Sequence, residues 1–527
     1  MSRRLRPRAA TSASGHGTNW LPLLLVLAAL VMVWAPDLAR PRMLGWDESE
    51  YAGIGRGLLR GEGYRTYGAP EPMRLPAVPM LAAATLAVAP HAGDAGLRWM
   101  GLLCMAAAAL VTYRGVARGA DRGTALAATL FFGALPMTRV LATLVLSEAP
   151  FIACFSAAVW WLHDALGGRS RAYLACAAAF GLALLTRYDA ALFAPIALAL
   201  ALLRGTVIGP RELARRTIGT GFFWLGTLVT LAVIAPWLLR EALVFHNPFE
   251  GLRQSSGIVI AGQWGAAPWW WYLARLPLIA GWPVLIAALP GLWVALRERD
   301  GTAMTALVAS AIVLAGHSSY LHKEDRYICG AMPFVATLAA IGVTRAMSPW
   351  IGRRVGARVA GGWLRWLGPR FAGWVSARVS SAATPGLVLV MGAAILADDT
   401  TRSISLDPPG YPSMLEAMET VRAESAPDRI VIGASGPEIH WYADRPVRQF
   451  PDDVGDLGDL LPHASWVVFV NYERMQPEWA ADLTRRMTVA DSVRGDVRVF
   501  RGGSFETVIV RASALAARLG VDTPGGP

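Results

Sequence analysis

Lysine is all but absent from this chain: of 49 basic residues only Lys323 is a lysine, and the rest are arginine. Arginine is a planar fork and lysine a compact ammonium on a flexible stem, so the two do not substitute for each other beside an acid or a phosphate. Cysteine is also scarce. Cys104, Cys154, Cys176 and Cys329 lie in or next to apolar runs without ligand-like spacing, which argues against a disulfide framework or a metal cluster and makes them packing residues. Charge is low at 17%, where soluble domains carry about 25%. No internal repeat of the kind found in many secondary transporters is visible, and no two histidines have metal-ligand spacing.

What fills the chain instead is apolar sequence. It is 54% hydrophobic over 527 residues, with a mean hydropathy of +0.40. Apolar runs near the roughly 20 residues needed to cross a bilayer recur as far as residue 399, which implies a polytopic α-helical membrane protein. The first run, Trp20–Pro36, follows Arg3, Arg4, Arg6 and Arg8 and lacks a small-residue cleavage pattern, so it reads as an uncleaved first span. The net charge of +11 is unevenly placed: residues 400–527 hold 18 acids against 13 arginines, leaving +16 on the rest. That excess follows the positive-inside rule and not nucleic-acid binding. Arg353, Arg354, Arg358, Arg365, Arg370 and Arg378, with no acid between Ser348 and Thr384, mark a cytoplasmic loop.

Alternation of arginine-rich loops orders the chain as about eleven transmembrane helices, provided Leu75–Pro90, which carries Pro76 and Pro79, stays on the outer side as a juxtamembrane or re-entrant segment. Residues 1–19 are expected to be a disordered cytoplasmic terminus, 20–400 the membrane domain, 401–520 a small periplasmic α/β domain and 521–527 a disordered tail. In the C-terminal region, β-like runs (Ile430–Ile432, Trp466–Val470, Val497–Phe500, Thr507–Val510) alternate with helical stretches such as Pro412–Glu424 and Pro477–Met487.

On this threading the charged motifs converge on the outer face. Gly45-Trp46-Asp47-Glu48-Ser49-Glu50-Tyr51 places three carboxylates just after a span, where an acid near lipid must be paired or partly neutralised. A helix N-terminus, with Asp47 or Glu48 on its dipole, is compatible with the same pattern. The prolines around Glu71 and Arg74 fix a turn near the interface. Glu148 is a lone border carboxylate, and Arg187 has Asp189 as a local partner; Arg187, Lys323 and Arg326 together would form a phosphate-sized cationic site. His246-Asn247-Pro248-Phe249 and Trp269-Trp270-Trp271-Tyr272 occupy another outer loop, the tryptophans most simply as an interfacial belt and otherwise as a stacking surface for a sugar.

In this order the pieces resemble the GT-C superfamily of polyprenyl-phosphate-sugar-dependent glycosyltransferases over roughly residues 20–400. Trp46-Asp47-Glu48 resembles the acidic first-loop motif of protein O-mannosyltransferases. His322-Lys323-Glu324-Asp325-Arg326-Tyr327 is similar to the HKE-x-R-[FY] motif of dolichol- and GPI-pathway mannosyltransferases, and Leu184–Tyr188 to an LT[RK] element of bacterial members. Two positions depart from the pattern: Gly45-Trp46 replaces a histidine-proline, and Glu148 stands where many bacterial relatives carry aspartate.

The resemblance implies an inverting glycosyltransferase of a bacterial inner membrane, with its active site on the periplasmic face, moving a sugar such as mannose from a polyprenyl-phosphate donor to a hydroxyl on a glycan, lipid or protein. Asp47 would be the general base, Glu48 and Glu148 would orient it or the acceptor, and Arg187, Lys323 and Arg326 would hold the donor phosphate. Tyr51, Glu71, Arg74, His322, Glu324 and Tyr327 would line the substrate site. No metal is expected to be obligatory, although some relatives use a divalent ion. The alternatives are a multi-spanning transporter or flippase of a lipid-linked intermediate, for which ionisable residues would sit near the bilayer midplane, and a non-catalytic scaffold.

Overall fold

The computed structural model describes residues 20–40, 42–262, 265–361, 369–397, 412–472, 476–485, 495–502 and 505–520. The expected disordered ends, 1–19 and 521–527, lie outside them, as does the junction between the two expected domains. Among the described residues seven helices are long and apolar enough to cross a bilayer: Leu21–Ala39, Gly93–Ala117, Glu148–Leu166, Tyr188–Ile208, Gly221–Phe245, Gly301–Ser319 and Asp325–Val355. Trp271–Ala280 and Trp282–Glu298 form an eighth if they count as one broken span, and Ala77–Val88, Ala172–Leu184 and Ala382–Ala397 are shorter apolar helices.

Two of the expected spans are not continuous helices, for identifiable reasons. The run Tyr272–Leu296 bends by 109° at Gly281, whose φ of +80° ends one helix and whose successor pair Trp282-Pro283 starts the next. The run Thr124–Thr138 divides into Arg122–Ala134 and Pro136–Leu141 at Leu135, because a residue before proline is driven out of the helical region. Leu75–Pro90 contains a helix of only 12 residues, Ala77–Val88, about 18 Å long and well short of the ~30 Å hydrocarbon core. It packs instead on the helix that follows the first span.

The first helix, α1 (Leu21–Ala39), is held by Trp34, which is fully buried and donates from Nε1 to the Gly133 carbonyl at 3.0 Å. Phe131, Phe132, Phe151, Phe155 and Phe334 fill the bundle. Where helices cross, small residues let backbones approach: a Cβ on Gly291 would lie 1.9 Å from the Leu338 carbonyl oxygen, and one on Gly342 would lie 2.0 Å from that of Ala287. After α1 the chain turns into α2 (Trp46–Leu59), then a two-residue hairpin, β1 (Arg65–Thr66) with β2 (Ala69–Pro70), then α3 (Ala77–Val88).

The C-terminal region is a five-stranded mixed sheet of β3 (Ile430–Gly433), β4 (Val447–Arg448), β5 (Ala464–Val470), β6 (Val497–Gly502) and β7 (Phe505–Arg511), in the order β4-β3-β5-β7-β6. β3 pairs in parallel with β4 and β5, and β7 antiparallel with β5 and β6. Alternate side chains serve two cores: Val431, Trp466 and Val468 face one with Met414 and Met418, while Ile432, Val467 and Phe469 face the other with Leu515. The sequence's β-like runs all fall inside these strands, and Pro412–Glu424 is a helix as expected.

Candidate active site

Asp47 stands in the first turn of α2, which begins at Trp46. Its carboxylate is clasped from two sides, by Arg74 Nη2 on Oδ1 at 2.6 Å and by Arg326 Nη2 on Oδ2 at 2.7 Å. Burial alone would raise its pKa, but the two guanidiniums outweigh that and hold it well below the usual carboxylate range. Arg74 also binds Glu50, Nε to Oε2 at 2.6 Å. Glu50 is pushed the other way, up to about 7, by burial and by the neighbouring charges of Glu71 and Asp47, which together exceed the pull of Arg74.

The second half of the site comes from where three spans begin. Glu148, 1% exposed at the start of its helix, accepts from Arg187 Nη1 at 2.6 Å and lies 3.7 Å from Arg326 Nε. Arg187 further donates to Asp189 at 2.6 Å and to Ser147 Oγ at 3.1 Å. Arg326 reaches back to Glu324 at 2.6 Å, and Glu324 also accepts from the Tyr327 hydroxyl at 3.0 Å and meets His322 Nε2 at 3.2 Å. Burial opposes ionisation of Glu324, yet Arg326 and His322 bring its pKa down to about 2. The Arg74 guanidinium lies over the Tyr51 ring, 5.3 Å from its centroid. Asp47, Tyr51, Arg74, Glu148, Arg187, Asp189, Glu324, Arg326 and Tyr327 therefore line one chamber.

Several candidates sit elsewhere. Glu48 is 2% exposed and has no free lone pair to offer: it accepts from the amides of Gly45 (3.0 Å) and Val145 (2.7 Å) and from Arg42 (2.6 Å). It caps α2 and ties it to the loop before Glu148, so the expected acceptor-orienting role gives way to a structural one. Glu71 uses Oε1 to accept from the amides of Met73 and Arg74 at 2.7 and 3.0 Å, which shapes the turn that presents Arg74. Lys323 is not among the lining residues. Its ammonium donates to the Ala267 carbonyl at 3.1 Å and to the Tyr320 carbonyl, it is 8% exposed, and desolvation lowers its pKa. The expected phosphate contact from Lys323 is thus replaced by a loop clasp, with the chamber's cations being Arg74, Arg187 and Arg326.

His246 ends the helix Gly221–Phe245 with φ at +56° and does not line the chamber. Trp269 and Trp270 are more than half exposed, as an interfacial belt requires, and Tyr272 donates to the Glu324 carbonyl at 3.1 Å. Sequence reasoning missed Ser255, Ile258 and Val259, which line the chamber from the helix Glu250–Val259. Their i, i+3, i+4 spacing is the signal that marks a shared helix face. Among the described residues no group of three His, Cys, Asp or Glu side chains is arranged to hold a metal ion.

Residues 71–239 match the family model described as dolichyl-phosphate-mannose-protein mannosyltransferase. Among solved structures, ArnT from Cupriavidus metallidurans in the apo state aligns over 93% of this chain and 98% of its own, with a TM-score of 0.65 at 19% identity. At that identity the likeness is one of fold: the chain shares the fold of this structure. The same ArnT bound to undecaprenyl phosphate aligns with a TM-score of 0.62 at 18% identity, covering 94% of this chain and 98% of that one. The apo oligosaccharyltransferase of Archaeoglobus fulgidus gives 0.56 at 11% identity, covering 86% and 70%. No curated protein sequence matches significantly. The family-model segment takes in Glu71, Arg74, Glu148, Arg187 and Asp189, while Asp47 and Arg326 fall outside it.

Proposed function

We propose that this GT-C enzyme transfers a sugar from a polyprenyl-phosphate donor to a hydroxyl acceptor in a single inverting displacement, with Asp47 as general base. The observation that carries the reading is the position of Asp47 between Arg74 and Arg326 in a chamber that Arg187 also enters. As the acceptor oxygen bonds to the anomeric carbon, its proton passes to Asp47. The bond from that carbon to the phosphate oxygen breaks, and its electron pair stays on the phosphate, where Arg187 and Arg326 stabilise the charge.

A carboxylate held by two guanidiniums is a weak base, and donor binding supplies the remedy. The phosphate competes for Arg326, and as that guanidinium turns toward it, Asp47 loses a partner and gains basicity. Glu148 then serves as the counter-charge that keeps Arg187 in place. Glu324 and Tyr327 orient Arg326, and Tyr51 and Arg74 complete the acceptor side. The site works at the periplasmic face of a bacterial inner membrane, in accord with the arginine-rich opposite loops, and needs no obligatory metal. Mannose is the first sugar to try, following the description of the matching family model; the ArnT complex makes undecaprenyl phosphate the first carrier to try.

The test is transfer or slow hydrolysis of labelled polyprenyl-phosphate sugars in proteoliposomes. Asp47→Asn should lower turnover by about 10²–10⁴-fold, the usual contribution of a positioned base, with the donor still bound. Failure of the folded wild-type enzyme to turn over any such donor would overturn the proposal.

A further inference from the structure

The helix that carries Asp47 is gripped by the C-terminal domain at three levels. At its far end, Arg56 donates to the carbonyls of Trp441 (2.9 Å) and His440 (2.6 Å) and lies 4.6 Å from the Trp441 ring centroid. At mid-helix, Gly53 leaves room for the His440 ring, which would sit 3.1 Å from a Cβ there. Just ahead of the helix, Met43 and Leu44 are adjacent residues in different cores. Met43, 3% exposed, packs with Met414, Met418 and Val447 in the core of the C-terminal domain, whereas Leu44, fully buried, belongs to the core of the membrane bundle.

The polar contacts at Leu44 close the arrangement. Its N–H donates to the Tyr442 hydroxyl at 2.6 Å, and that hydroxyl donates to Asp94 Oδ2 at 2.6 Å, while Trp441 Nε1 donates to Asp94 Oδ1 at 2.8 Å. The carbonyl of Leu44 accepts from Ser49 Oγ, one turn into α2, at 3.0 Å. Both backbone groups of Leu44 are therefore held, one by the C-terminal domain and one by the helix that bears Asp47.

We infer that the C-terminal domain is a positioning part of the active site: through Met43 and Tyr442 it sets where the start of α2, and so Asp47, stands between Arg74 and Arg326. Tyr442 touches no substrate; it acts through Leu44. The inference rests on the proposed role of Asp47 as base. Hydroxyl loss at Tyr442 leaves the Leu44 N–H without its acceptor and frees the α2 start to drift away from the two guanidiniums. A displacement of order 1 Å at a reacting group costs about 10²-fold, and a partial loosening costs less.

The charged and titratable groups facing Asp47 are Arg74, Arg326, Glu50 and Glu324, with Tyr51 and Tyr327 beside them. Loosening the clasp of the two arginines leaves Asp47 easier to protonate. The acid limb of the activity profile, where the base is lost as pH falls, should then move to higher pH.

The test uses the full-length protein in proteoliposomes. Tyr442→Phe should lower kcat about tenfold while the KM for the labelled polyprenyl-phosphate sugar changes by less than about twofold, and should move the acid limb upward. Arg60→Ala, which removes only the exposed pairing of Arg60 with Asp444 (2.8 Å), should leave both unchanged. Asp94→Asn repeats the test from the other side of the hydroxyl should Tyr442→Phe fold poorly. Unchanged kcat and acid limb in folded Tyr442→Phe and Asp94→Asn would overturn the inference, as would an equal loss in Arg60→Ala. If the wild-type enzyme turns over no donor, the function proposal falls separately. Amide exchange over residues 43–50 then decides the coupling: faster exchange in Tyr442→Phe supports it, and an unchanged rate overturns it.

Discussion

Lys323 is a lysine because two carbonyls converge on its tip. A compact ammonium with three donors fits between Tyr320 O and Ala267 O, whereas the flat fork of an arginine does not. Lys323→Met should lower the melting temperature modestly, since two part-buried carbonyls lose their donor at less than the about 1–3 kcal/mol of a fully buried group, and should leave the donor KM within about twofold. A KM raised tenfold in a protein of wild-type stability would return Lys323 to the phosphate. Glu50 gives a second prediction at this scale. Its pKa is raised from 4.5 to about 7 in the folded protein, so the folded state binds the extra proton and stability falls as pH climbs through that window. Glu50→Gln should flatten the melting-temperature profile between those two pH values; an unchanged slope would show that another group carries it. The lysine string stood out in the sequence as a motif, but the directions of its residues were not legible. Glu324, Arg326 and Tyr327 face the chamber, whereas Asp325 turns away to pair with Arg275 at 2.8 Å. That division depends on the tight helical turn Asp325–Ala331, and residue types alone do not specify it.

At the scale of elements, apolar runs identified helices well and their continuity poorly. Hydropathy averages over a window and is blind to one residue, so the turn at Gly281 and the interruption at Leu135 were absorbed into single expected spans. The prolines beside both breaks were present in the sequence, yet proline is common in membrane helices and does not by itself announce a bend. Helix crossings are sharper tests of the packing. At Gly291 a side chain would have to displace the backbone of the helix Met332–Ile341. Gly291→Val should therefore cost about 1–3 kcal/mol or more through overpacking, read as a lower melting temperature in detergent. A Gly386→Val variant, at a glycine where an added Cβ would meet no heavy atom within 4 Å, should be tolerated; equal losses in the two would argue against the close crossing.

For the whole molecule, arginine distribution and motif order carried the architecture: a bundle whose charged residues gather where the first span ends and three others begin, followed by a separate sheet domain. What the sequence did not reveal is how the domain meets the bundle. The helix Gly436–Ala443, which makes the contact, has eight residues, and its Trp441, Tyr442 and His440 read equally well as an ordinary surface. Met43 gave no sign of belonging to a core built from residues after 412. Long-range packing of this kind has no local period to read.

The placement of Met43 and Leu44 in two cores has a consequence for biogenesis. Their segment is translated well before the residues that complete its surroundings, Tyr442 lying 398 positions after Leu44. Chains fold largely from the N-terminus during synthesis, so the helix bearing Asp47 lacks these contacts until the helix with Tyr442 has been translated. A product stalled between the two segments lacks the contacts that hold Leu44 in place.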